Sequence, residues 1–199
     1  MKCVGLTPFC ESPKKKTKER IYMAYIELPD INDVDENIKK QFEVTKALTG
    51  ELGETVRILA IRPDILAMTN KMVNILLVPQ TELDYETKEV LAIAVSIENG
   101  CTICTDEHER IAKMLGIDAQ KVEKIKQGIE NTDFPEHKKL LLQFCVKSAK
   151  NSYKIMKKDL DMLRSAGYSD SQILEAVAIV GYFNYINTVV NAMGAGKEI

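Results

Sequence analysis

The chain has 199 residues, of which 45% are apolar and 28% charged, with a formal net charge of −2. That length supports one domain with a real core, and the composition argues against a disordered chain. The near-neutral charge gives no broad basic surface for nucleic acid or an anionic membrane.

Residues 1–22 read as a flexible basic N-terminal extension. Lys2, Lys14, Lys15, Lys16, Lys18 and Arg20 face only Glu11 and Glu19 there, and a solvated terminus is the simplest account of such a segment. Met23 opens MAYIELPD, itself a sensible protein start, so residues 23–199 are expected to form a single helical domain. A secretory signal would need a longer apolar stretch behind its charges. The longest apolar runs, VLAIAVSI and AVAIVGYF, fall short of the roughly 20 residues that span a bilayer. The expectation is a cytoplasmic protein with neither membrane nor nucleic acid as partner.

Ten glycines and six prolines leave long stretches without breakers. Helical period dominates and no convincing strand alternation appears, which predicts an all-α fold. The first helix is expected over Asp35–Leu48, ending at Gly50. Pro63–Leu77 follows, with proline in its first turn. Tyr85–Glu98 ends at Asn99–Gly100, and Cys101–Leu115 ends at Gly116. Asp118 caps the next helix, which stops near Gly128. Pro135–Lys150 and a segment from about Lys154 to Ser165 come next. Ser169 and Gln172 have capping-box spacing ahead of a last helix that reaches about Met193. KEVLAIAV around Glu89 is echoed by LEAVAIV around Glu175, a hint of a duplicated helical hairpin.

The cysteines are Cys3, Cys10, Cys101, Cys104 and Cys145. Their odd number and irregular spacing do not fit a secreted disulfide framework. Cys101, Cys104 and His108 stand at i, i+3 and i+7, within a wedge of about 60° on a helix. The two cysteines also fall at a helix start, where free N–H groups and the dipole favour a thiolate. Glu89 and His108 lie roughly 16 Å and 12 Å from the Asn99–Gly100 break along their helices, so an antiparallel hairpin would put them at similar depth. Glu89 opens a helix that is apolar nearly all round, where a partly buried carboxylate beside an imidazole can act as a base or proton relay. Packing as small hydrophobes, zinc ligation by two Cys, His and Glu, and redox chemistry are all open on these residues alone.

The segment ETKEVLAIAVSIENGCTICTDEHERIAKMLG resembles the core of the AhpD-like (alkyl hydroperoxidase D) family in the carboxymuconolactone decarboxylase superfamily. That core has Glu, eleven residues, Cys-x-x-Cys, three residues and His. Here Glu89, Cys101, Cys104 and His108 fill those positions. AIRPDIL before it and GYSDSQILEAVAIVGYFNYIN after it resemble the peroxidase-related branch, so the likeness covers about residues 30–195. It implies an AhpD-like helical fold with a central antiparallel hairpin carrying the CxxC pair, and a homo-oligomer, commonly a trimer or hexamer. It also implies thiol-dependent reduction of alkyl hydroperoxides, with Cys104 as peroxidatic thiol, Cys101 as resolving thiol, and Glu89 and His108 as proton relay. A dithiol, lipoyl or thioredoxin-like reductant would close the cycle. A general thiol–disulfide oxidoreductase or redox-sensing oligomer is the alternative, and a carboxymuconolactone-type decarboxylase a further one.

Two positions depart from the pattern. Ile103 stands where some members have a second histidine, and Thr188 follows Asn187 where this branch often has arginine. No flavin, haem or nucleotide motif is visible, so no cofactor and no metal are expected. His137 reads as solvated and Cys145 as core. Asp106, Glu107 and Glu109 read as an exposed acidic face, and Tyr182, Phe183 and Tyr185 as packing or subunit contacts.

Overall fold

The computed structural model describes residues 24–30, 34–49 and 52–196. The basic extension 1–22, with Cys3 and Cys10, and the expected stop at Gly50 lie outside them. The described residues form nine α-helices: α1 Glu36–Thr49, α2 Glu54–Ala60, α3 Pro63–Leu76, α4 Tyr85–Glu98, α5 Thr102–Met114, α6 Ala119–Gln127, α7 Glu136–Asn151, α8 Lys157–Ser165 and α9 Asp170–Ala192. Short 3-10 turns occupy Ile129–Asn131 and Ser152–Lys154. No strand occurs among the described residues.

Local chemistry starts most of these helices where the sequence predicts. The Asp35 carboxylate accepts the amides of Asn37 and Ile38, both at 2.9 Å. Pro63 is the first residue of α3. Asp84 caps α4 by accepting from Thr87 N at 2.6 Å, and Asp118 caps α6 through Gln120 N at 2.8 Å. Ser169 and Gln172 exchange side-chain bonds with each other's amides at 3.1 and 2.9 Å, the reciprocal box that opens α9. The helix α2 is an addition to the expected set. It has seven residues and no side-chain cap, so it carries little sequence signal. The segment at 154 forms a 3-10 turn, and α8 begins three residues later at Lys157.

The core centres on α4. Val90, Leu91, Ala92, Ile93 and Val95 have no exposed surface, because α5, α6, α7 and α9 all pack against this helix. A helix covered on every side is apolar on every side. The echoing segments KEVLAIAV and LEAVAIV are parts of α4 and α9, which pack directly on each other.

By length and composition α9 is long and apolar enough to cross a bilayer, which corrects the estimate drawn from contiguous apolar runs. Half of its apolar window is buried within the fold, against α4 and α7.

Lys88 is fully buried, the costliest place for an ammonium without partners. Its Nζ donates to Pro79 O and Thr81 Oγ1, each at 2.8 Å, and pairs with Glu175 Oε1 at 2.8 Å. The other Glu175 oxygen accepts from Leu83 N at 3.1 Å. This network ties the loop before α4 to α9 and so fixes the depth of Glu89, the residue next to Lys88.

Candidate active site

Glu89 and His108 meet. His108 Nδ1 lies 2.8 Å from Glu89 Oε2, with both side chains nearly buried at 12% and 7% exposure. The Phe183 ring lies edge-on to the imidazole at 4.9 Å. Burial pushes the His108 pKa down. The charge and hydrogen bond of Glu89, with the charge of Glu107, outweigh it and leave the net shift upward.

Cys101 is the N-cap of α5, and Cys104 lies in its first turn. They are joined by a disulfide with Cα atoms 5.4 Å apart. Cys101 is 1% exposed and Cys104 5%. The turn that delivers them uses Gly100 at φ 65°, a left-handed conformation that glycine adopts without penalty. Cys101 N donates to Ser96 O at 2.9 Å, and Cys101 O accepts from Thr105 N and Thr105 Oγ1.

Behind the turn is an asparagine cluster that the sequence reading did not single out. Asn99 Nδ2 donates to Asn184 Oδ1 at 2.9 Å and Asn187 Oδ1 at 3.0 Å. Asn187 Nδ2 reaches Ser96 Oγ at 3.3 Å, and Asn191 Nδ2 reaches Asn99 O at 3.2 Å. Three amides on α9 therefore hold the residues just before Cys101. A signal was present: Asn184, Asn187 and Asn191 stand at i, i+3 and i+7 on an apolar helix, the same stripe spacing as the Cys–Cys–His set. Thr188, which stands where the peroxidase-related branch often has arginine, is exposed and bonds its own helix at Asn184 O, 2.7 Å away.

A second clamp lies beside Ile103. The Glu54 carboxylate accepts from Ala24 N at 3.1 Å and Gly196 N at 2.9 Å. A Cβ on Gly196 would stand 3.1 Å from Ile103 Cβ, so the backbone there presses on one of the two residues between the cysteines.

The site opens onto a cavity of about 910 Å³ whose walls come mainly from α1, α2, α3, α5 and α9. Cys104, His108 and Glu89 lie on its wall, whereas Cys101 does not. Tyr182, Phe183 and Ile186 of α9 line it too, so two of the three aromatic residues read as packing, Tyr182 and Phe183, also face the site. Burial, then Glu107 and Tyr185, push the Tyr182 phenol well above its usual range. Tyr185 bonds Thr69 Oγ1 at 2.9 Å and so ties α9 to α3.

Of the three residues read as an exposed acidic face, only Asp106 is exposed. Glu107 lines the cavity, and Glu109 pairs with Lys126 at 2.5 Å. His137 is exposed, with Tyr168 5.9 Å from its ring, and Cys145 is buried with its thiol pKa pushed up by desolvation. Among the described residues no group of three or more His, Cys, Asp or Glu side chains is arranged to hold a metal ion.

The described residues form an all-helical fold with a Cys-x-x-Cys pair at a helix start. Residues 63–127 match the model of the carboxymuconolactone decarboxylase family. The match covers about a third of the chain and includes Glu89, Cys101, Cys104 and His108.

Solved structures share the fold. An AhpD-core, peroxidase-related protein from Ralstonia eutropha JMP134 superposes with a TM-score of 0.81 at 21% identity, covering 86% of this chain and 90% of that one. A peroxidase-related protein from Silicibacter sp. TM1040 gives 0.80 at 24% identity, over 92% and 94%. A variant of the debrominase Bmp8 in complex with 2,3,4-tribromopyrrole gives 0.74 at 18% identity, over 90% and 94%. A comparison with curated protein sequences finds no significant match.

Proposed function

We propose that this protein is a thiol-dependent peroxidase that reduces organic hydroperoxides through Cys104 and Cys101. The carrying observation is the 2.8 Å bond between His108 Nδ1 and Glu89 on the wall of the cavity that Cys104 also lines. A carboxylate on Nδ1 leaves Nε2 to exchange protons with whatever occupies the cavity.

In the reduced enzyme the Cys104 thiolate is favoured by its place in the first turn of α5 and by His108 four residues on. Its sulfur attacks the terminal oxygen of ROOH, and the O–O bond breaks. Cys104 becomes a sulfenic acid, and the leaving alkoxide takes a proton through His108 to give ROH. The Cys101 thiol then attacks the sulfenic sulfur and water leaves. This forms the Cys101–Cys104 disulfide, the state present in the structure. A dithiol reductant returns both thiols by exchange.

The peroxidase-related proteins among the structural neighbours support this reading, while the debrominase shows that one fold carries different chemistry. The test is mass-spectrometric thiol titration after one equivalent of tert-butyl hydroperoxide, on reduced wild type and on Cys101→Ser. A Cys101–Cys104 disulfide in the first and sulfenic acid on Cys104 in the second are expected. Sulfenic acid on Cys101 in a Cys104→Ser variant that retains full turnover would reverse the roles. No oxidation within minutes would favour a disulfide reductase or a sensor.

A further inference from the structure

We propose that the cavity takes a long apolar substrate with an anionic head, its head held by Lys40 and Lys71 and its hydroperoxide at Cys104. This rests on the peroxidase reading for the chemistry and on the cavity alone for the ligand class. At about 30 Å³ per water the cavity has room for roughly thirty waters. Hydrogen peroxide or a four-carbon hydroperoxide would fill a small part of it.

The space extends along α5. Cys104, His108, Ile111 and Leu115 line it along one face of α5, over about 16 Å at the helical rise. Its surface is mostly apolar, as a hydrocarbon body requires.

Charge gives the space a direction. The carboxylates on its wall, Glu89 and Glu107, come from α4 and α5, beside the reacting sulfur. The ammonium groups, Lys40 and Lys71, come from α1 and α3. Their sequence neighbours Gln41 and Asn70 are bonded to each other at 2.9 Å, so both lysines sit on one rim where α1 meets α3. Both are exposed, and neither is held in an ion pair with a described residue. An anionic head is repelled from the α4–α5 wall and attracted to this rim, which leaves the chain to run towards Cys104. Reduction at the far end then yields a hydroxy acid, with the same electron balance as above.

Binding and turnover are measured separately. Isothermal titration with dodecanoate and octanoate, below their micelle concentrations, should favour dodecanoate at least tenfold, because each buried methylene contributes about fourfold. Dodecanoate should also bind about tenfold more tightly than methyl dodecanoate, and Lys40→Gln/Lys71→Gln should reduce that ratio to about one. Turnover of 13-hydroperoxyoctadecadienoate against its methyl ester should show the same preference in KM and the same collapse.

Equal binding of acid and ester, or no gain with chain length, overturns the proposal even if tert-butyl hydroperoxide is consumed. Dodecanoate binding as described with no hydroperoxide consumed would leave the ligand class standing and remove the peroxidase reading. No dodecanoate binding, with a sedimentation shift in the lysine double variant, would mean that a second copy of the chain covers this groove and would also overturn it.

Discussion

The Glu89 carboxylate and the His108 imidazole are joined at 2.8 Å although 19 residues separate them in the chain. The bond ties α4 to α5 and fixes the imidazole on the cavity wall. Glu89→Gln should lower kcat/KM for tert-butyl hydroperoxide by about 100-fold or more, the usual scale for a lost proton relay. His108→Ala should lose a similar factor, and the double variant little beyond either single one, since the two act as a unit. Independent, additive losses in steady-state rates would count against a relay.

The same pair makes stability depend on pH. The His108 pKa is raised in the folded protein, so its contribution is fully present below the unfolded value of ~6.5 and is lost as pH rises through the folded value. Urea unfolding of wild type and Glu89→Gln should therefore differ more at about pH 5.5 than at about pH 9. Imidazole NMR, simplified by a chain with two histidines, should show the His108 titration moving down in the variant. A stability difference that does not change with pH would contradict this assignment.

Lys88 and Glu175 form the buried pair that fixes the entry to α4. Lys88→Met leaves Glu175 without its cation and should cost about 3–5 kcal/mol in urea unfolding. Lys88→Met/Glu175→Leu should recover a large part of that loss, because no charge is then stranded. If the double variant is as unstable as the single one, the loss comes from packing rather than charge.

Asn187 supports the turn before Cys101 by accepting from Asn99 and donating to Ser96. Asn187→Leu should cost about 1–3 kcal/mol, the scale for buried groups left unsatisfied. Amide exchange at Gly100 and Cys101 should accelerate with it. Unchanged exchange there would show that the turn holds without the amide cluster.

Cys145 is fully buried and its thiol is pushed up in pKa by that burial. It should resist iodoacetamide in the native reduced protein and react only in denaturant. Alkylation of Cys145 at the rate of an exposed thiol would mean that the α7 face opens in solution.

Much of this arrangement is legible in the sequence because its signals are local. Caps such as Asp84, Asp118 and Ser169 act within three residues, and the stripe of Cys101, Cys104 and His108 follows from helical period. The match of Glu89 to His108 in depth follows from counting residues on either side of Gly100. What escaped depends on tertiary partners. Glu107 reads as solvated on its own helix and becomes cavity wall only once α3 and α9 are in place. The asparagine cluster has a helical stripe but needs Asn99 and Ser96 of α4 to give it meaning. The helix α2 is too short and too weakly capped to register, and contiguous apolar runs underestimate α9 because its tyrosines and asparagines interrupt them.

The unequal placement of the two sulfurs has a kinetic consequence. Cys104 faces the cavity, while Cys101 is sealed beneath the turn and away from it. In the proposed cycle an incoming reductant thiolate therefore reaches the disulfide at the same sulfur that attacks the peroxide. Oxidant and reductant share one entrance and must alternate. The expected rate law is ping-pong, with parallel double-reciprocal lines and mutual competition when either substrate is in large excess.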